Sequence, residues 1–178
     1  TKGGRVVVNP ILSCGKCEPC KQGRNNICEN MKLIGLHSSG AFAEYVVAPA
    51  DNCYKLPDSV SFEEGALVEP LSVGIHAANR TSIKSGDTVV VLGAGTIGLM
   101  ALQAARFAGA GKIFVTDTLD YRLNLARTLG ADVVINVTKD DPVKKIMTDT
   151  NGADVVIEAV GIQKTVQQAL AMSKKGKS

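Results

Sequence analysis

Two patterns of apolar residues divide the chain. From residue 87 onward, short unbroken apolar runs alternate with longer stretches in which apolar residues recur every three or four positions. DTVVVLGAG, KIFVTD, ADVVIN and ADVVIEAVG are the short runs. They are rich in β-branched residues and read as strands buried on both faces. TIGLMALQAARFAG, LDYRLNLARTLG, DDPVKKIMTDT and QKTVQQALAMS follow them in turn and read as helices. Four β-α units in this order predict a parallel sheet covered on both sides. The first 60 residues differ. RVVVNPIL is β-rich and leads into a polar stretch over 13–32. GAFAEYVVAPADNCYKLPD then reads as strands joined by tight turns at Gly and Pro. SFEEGALVEPLSVGIHAANR reads as helical, with Ser61 and Glu64 spaced as a capping box. Pro70 is expected to break or kink it into two helices.

Composition agrees with an α/β protein. Hydrophobic residues make up 45% of the 178, Gly is abundant at 18, and aromatics are scarce at 4%. Twenty basic residues against 17 acidic ones leave a net charge of only +3, which implies no nucleic-acid or membrane partner. No apolar run approaches the ~18 residues of a membrane span, and no signal peptide is evident. The cysteine count is odd, at five, and four of them cluster. A secreted disulfide framework would spread an even number through a smaller chain. The expectation is a soluble, reduced, cytoplasmic protein. The chain begins TKGGRVVVNP and ends MSKKGKS, where another strand is expected, so it reads as an internal piece of a longer protein.

The cluster is Cys14, Cys17, Cys20 and Cys28, spaced C-x2-C-x2-C-x7-C. Four soft thiolates this close suit tetrahedral zinc. Such a shell has no open position, so the metal it predicts is structural, one Zn2+ per chain. An iron–sulfur cluster is the rival, but the fourth cysteine follows seven residues on, with no Pro after it. Lys16, Lys21 and Arg24 either offset the negative charge of a four-thiolate zinc or form a solvated face.

Gly93, Gly95 and Gly98 form G-x-G-x-x-G. The pattern follows an expected strand, opens an expected helix, and precedes Asp117 at the end of the next strand, 24 residues after Gly93. This is close to the roughly 20-residue offset of the dinucleotide fingerprint. Gly93 permits a tight turn, Gly95 lets backbone approach a pyrophosphate, and Gly98 lets the helix pack closely. The amides of Thr96, Ile97 and Gly98 sit at a helix N-terminus that attracts phosphate. Asp117 would accept from the adenosine ribose hydroxyls and repel a 2′-phosphate, which favours NAD over NADP.

Together VVVNPILSCGKCEPCKQGRNNIC, GAFAEYVV, KLPDSVSFEEGALVEPLSVGIHA and VLGAGTIGLMALQAA resemble the zinc-dependent medium-chain dehydrogenases, and most of all the sorbitol (polyol) dehydrogenase branch. The resemblance covers essentially the whole chain. It implies an incomplete Rossmann doubly wound parallel sheet over 71–178. Part of a GroES-like β-rich catalytic domain, with its structural zinc lobe, would occupy 1–70. It implies zinc-assisted oxidation of a secondary alcohol to a ketone by hydride transfer to NAD. Arg122 matches a position that contacts the adenosine end of NAD, and Glu69, in VEPLS, an acidic residue beside a second, catalytic zinc. That zinc's Cys and His-Glu ligands match no residue of this chain, so the chain alone is expected to be inactive. The family is usually a homo-dimer or homo-tetramer. Threonine, butanediol, sugar-acid and sugar-phosphate dehydrogenases share these motifs, so the substrate stays open.

The residues admit other functions. A non-catalytic zinc- and nucleotide-binding module fits the same motifs. A nucleic-acid zinc element is disfavoured by the near-neutral charge and few aromatics. His37 lies in a turn, GLHSSG, that either faces a substrate cleft or is solvated; His76 reads as a packed helix residue, and Cys53 as a small buried hydrophobe. A second metal site from His37, Cys53 and Glu69 is neither supported nor excluded by their separation in the sequence.

Overall fold

The computed structural model describes residues 3–176, which divide between Val68 and Glu69 into two compact units. In the first unit, β1 (Val6–Val8) pairs antiparallel with β4 (Cys53–Lys55), and β2 (Ile11–Leu12) with β3 (Lys32–Leu33). A four-residue helix, α1 (Glu18–Lys21), lies in the cysteine segment. Helix α2 (Phe62–Ala66) starts at the expected capping box. Glu64 donates its amide to Ser61 Oγ at 3.1 Å, and Ser61 donates its amide to Glu64 Oε2 at 2.7 Å. The unit has little apolar core. Leu56 is its one large buried aliphatic side chain among the described residues.

The strands expected over 41–49 do not form. This stretch is irregular, and Phe42, Tyr45 and Val47 stand in solvent. Alternating apolar residues make a strand only where a neighbouring ladder takes up the backbone groups, and none of the described strands pairs here. The helical stretch divides where expected, but just ahead of the proline. Helix α2 ends at Ala66, and α3 (Val68–Thr81) carries Pro70 in its first turn. There the missing N–H costs nothing, because first-turn amides have no intrahelical acceptor.

The second unit follows the β-α alternation. Strands β5 (Thr88–Leu92), β6 (Lys112–Asp117), β7 (Val133–Asn136) and β8 (Val155–Glu158) form one parallel sheet in the order β7-β6-β5-β8. Helices α4 (Thr96–Phe107), α5 (Asp120–Thr128), α6 (Pro142–Thr150) and α7 (Gln163–Met172) alternate with them. The β5 side chains show why both faces are covered. Val89 and Val91 join a cluster with Leu102, Ile113 and Val115, while Val90 and Leu92 join another with Phe114, Ile146 and Met172. Helix α3 meets α4 at Gly74, where a Cβ would lie 2.6 Å from the Met100 carbonyl carbon. The chain order 3-2-1-4 within this sheet places a switch point between β5 and β8, at whose carboxyl ends open α/β sheets bind ligands. No helix among the described residues is long and apolar enough to cross a membrane.

Candidate functional site

The cysteine segment converges on one point. Gly15 turns the chain at φ +68°, and the Cys17 amide then points back at Cys14 Sγ, 3.4 Å away. Cys17 caps α1, so Cys20 falls one turn later on the same face. After a 3-10 turn over Asn25–Ile27, Cys28 enters from the other side. Its sulfur accepts the amides of Cys14 and Asn30, each at 3.3 Å. All four sulfurs lie within 4.8 Å of one another, with Cys17 and Cys28 at 3.8 Å. A tetrahedral zinc with Zn–S bonds of ~2.3 Å needs S···S edges of about 3.8 Å, so the donor set fits that ion. The thiols also need a cation. The amides of Lys16 and Cys17 pull the Cys14 thiol down to about 6. Burial, with the neighbouring Cys17 and Cys28 sulfurs, pushes Cys20 up to about 12. Four negative sulfurs in one shell repel one another until a metal offsets them. Lys16, Lys21 and Arg24 are exposed, and none makes an ion pair among the described residues.

The glycine turn joins β5 to α4, and its three glycines have three different local causes. Gly93 has φ +96°, which favours glycine. A Cβ on Gly98 would lie 1.9 Å from the Gly93 carbonyl oxygen, so the helix could not approach the turn. Gly95 has neither reason. Its φ is −72°, and a Cβ there would meet nothing within 4 Å. It caps α4 with no side chain, so the first-turn amides of Thr96, Ile97 and Gly98 have no side-chain acceptor there. An open cradle at a bare helix N-terminus fits a phosphate group.

A cleft of about 350 Å³ opens beside this turn, lined in part by Gly93, Gly95, Asp117, Arg122 and Val160. Asp117 ends β6 and is buried. Its Oδ2 accepts the Ala94 amide at 2.8 Å and its Oδ1 the Leu119 amide at 3.0 Å, so the carboxylate is fixed against the glycine turn. Oδ2 keeps a further lone pair for a ligand hydroxyl, while the second position on Oδ1 is taken at 3.5 Å by the Thr118 hydroxyl. Arg122 stands 3.7 Å from Asp117 Oδ2 and lies over the Tyr121 ring at 5.7 Å.

The remaining candidates are dispersed. Glu69 is exposed in the first turn of α3, where its carbonyl accepts from Ser72 Oγ at 2.6 Å. His37 is exposed, and its Nδ1 accepts the Leu33 amide at 3.0 Å, so it closes its own turn. His76 is exposed rather than packed, because α3 turns it away from the face that carries Gly74 and Ala78. Cys53 is half-buried and donates to the Pro49 carbonyl at 3.5 Å. Among the described residues, the four cysteines are the one group of three or more side chains placed to share a metal.

Sequence reasoning passed over Glu158. It ends β8 and accepts from the loop that walls the cleft, including the Val160 and Gly161 amides. Partial burial pushes its carboxyl up, but the Thr165 hydroxyl and those two amides outweigh this and hold it below the ordinary glutamate value. The signal was present, as an acidic residue closing an apolar strand immediately before Ala-Val-Gly.

Comparison with known proteins matches both units. The model of the alcohol dehydrogenase GroES-like domain matches residues 1–58, and that of the zinc-binding dehydrogenases residues 96–177. Sorbitol dehydrogenase of Bacillus subtilis is 44% identical over 177 residues, which are 98% of this chain and 50% of that protein. L-idonate 5-dehydrogenase of Vitis vinifera is 43% identical over 181 residues, covering 98% of this chain and 50% of its own. The chain thus spans about half the length of these relatives. A solved zinc-binding dehydrogenase from Sinorhizobium meliloti, bound to NADP, superposes with a TM-score of 0.95 at 36% identity, over 99% of this chain and 53% of that one. With a four-sulfur lobe in one unit and a Rossmann-type sheet in the other, the chain belongs to the zinc-dependent medium-chain dehydrogenases.

Proposed function

We propose that this chain is the zinc-lobe and nucleotide-binding portion of an NAD-dependent polyol or secondary-alcohol dehydrogenase. The reading is carried by Asp117, a buried carboxylate fixed at the end of β6 in the cleft that the glycine turn opens. An adenosine ribose hydroxyl would donate to the remaining lone pair on Oδ2. A 2′-phosphate would bring negative charge against a carboxylate that cannot swing away, with only Arg122 to offset it. The Thr96, Ile97 and Gly98 amides would hold the pyrophosphate, and Gly95 would leave it room.

In the family's reaction, bound zinc supplies Lewis-acid polarisation of the substrate hydroxyl and bound nicotinamide supplies the hydride acceptor. This chain's residues bind and orient. The closed four-sulfur lobe offers no open position to a substrate, so its part is to hold structure. Glu69 is the residue we assign beside the catalytic zinc. A polyhydroxylated substrate is supported by the names of the two relatives, since sorbitol and L-idonate both carry secondary hydroxyls on such chains.

The test is the ratio of dissociation constants for NADPH and NADH, which a general folding defect leaves unchanged. One lost ribose hydrogen bond and one like-charge contact predict an NADH preference of about 30-fold or more. Asp117→Ser should collapse that ratio toward one. Equal binding of the two nucleotides by the unaltered protein would refute the role given to Asp117.

A further inference from the structure

Glu158 has no part in the reading above, yet its surroundings are built. Its Oε1 accepts the Val160 amide at 2.8 Å, the Gly161 amide at 3.0 Å and the Thr165 hydroxyl at 2.8 Å. Its Oε2 takes the Gly161 amide at 3.1 Å. The Thr165 hydroxyl also lies 2.9 Å from the Ile162 carbonyl, but its single hydrogen favours the charged acceptor. These bonds bend the chain sharply as it leaves β8, with Gly161 at φ +83°.

The bend has a direction. The Ala159 amide continues the ladder to the Leu92 carbonyl at 2.9 Å. Val160 then closes over the glycine turn, so that a Cβ on Gly93 would lie 2.8 Å from Val160 Cγ2 and 3.2 Å from the Ala159 oxygen. Ala159, Val160, Ile162 and Thr165 all line the cleft that holds Gly95 and Asp117. The loop that Glu158 gathers is therefore the wall of that cleft facing the phosphate turn.

We propose that Glu158 is a positioning residue for the dinucleotide: its carboxylate fixes residues 159–162 as the wall against which the nucleotide is held. The inference rests on the nucleotide reading given above. Glutamine is nearly the same shape, but it turns one acceptor into an NH2 group facing amide hydrogens, so it should open the loop with little change in packing.

The experiment is a titration of the zinc-loaded full chain with NADH, followed by nicotinamide fluorescence and reporting both Kd and binding stoichiometry. Glu158→Gln should raise Kd about tenfold or more, Thr165→Val about threefold, and Thr165→Ser should restore the unaltered value. A purely structural role would reduce the bound fraction and leave Kd alone. Unchanged Kd in both Glu158→Gln and Thr165→Val overturns the proposal. If Glu158→Gln does not fold, an unchanged Kd in Thr165→Val does so alone. Absence of NADH binding by the unaltered chain would instead remove the nucleotide reading, and this inference with it.

Discussion

The two units are held together by different forces. The second has a core built on its central strands: Val89, Val90, Val91, Leu92, Ile113, Phe114 and Val115 are all shielded completely from solvent. The first has two-stranded ladders of two or three residues and one buried leucine. Small strands with so little core are marginal alone. What gathers residues 14–28 is four sulfurs around one point and the amides that face them. One unit carries its own hydrophobic core, and the other gathers around four sulfurs placed to share a metal.

The comparison breaks most sharply on metal removal. Structural zinc is worth on the order of 10 kcal/mol of folding free energy in small zinc domains. Stripping it with a chelator, or Cys28→Ser, should abolish zinc binding and expose the backbone amides of residues 14–33. Those of β5, β6 and β8 should stay protected. Segment-resolved hydrogen exchange with zinc analysis measures this; equal loss of protection in both units would end the distinction.

A smaller effect sharpens it from the side of the sheet. Gly98→Ala drives a Cβ into the Gly93 carbonyl. Backbone cannot yield as a side chain tip can, so overpacking should cost about 1–3 kcal/mol. Thermal unfolding should show that loss, with zinc stoichiometry unchanged. An unaltered melting temperature would mean that α4 does not sit on the turn as described.

The smallest effect is on acid stability. The carboxyl of Asp132 is pushed up by burial but held lower overall by the Ile113 amide and Arg106, and that of Asp120 is lowered by Lys139 and Asn136. Glu158 is lowered as well. Groups with depressed folded-state pKa values stabilise above their ordinary values and lose that contribution as pH falls through the folded ones. The ordinary values are 4.5 for Glu158 and 3.8 for the two aspartates. A melting temperature level at neutral pH and falling below about pH 4.5 is expected, with a gentler fall in Glu158→Gln. A level profile throughout would contradict these pairings.

Much of the second unit was legible because its signals are local. KIFVTD is a strand at the residues its apolar run marks, and Asn151 ends α6 in a left-handed conformation that its side chain tolerates. The cysteine spacing was legible for the same reason, since α1 and two turns suffice to bring the sulfurs together. Residues 41–49 were misread because strand formation is decided by a partner, which alternation does not reveal. His76 was misread because α3 buries a narrow face at Gly74 and Ala78, and the apolar residues around them do not point to it. Glu158 was missed because its role exists only once the loop after β8 has folded back on the glycine turn.

Gly95 tests the central claim most directly, because nothing in the fold of this chain requires glycine there. Gly95→Ala should change stability by no more than about 1 kcal/mol. The added methyl should stand where the phosphates would lie and weaken NADH binding about tenfold or more. NADH binding by Gly95→Ala with unchanged affinity would contradict the account of the glycine turn as a dinucleotide site.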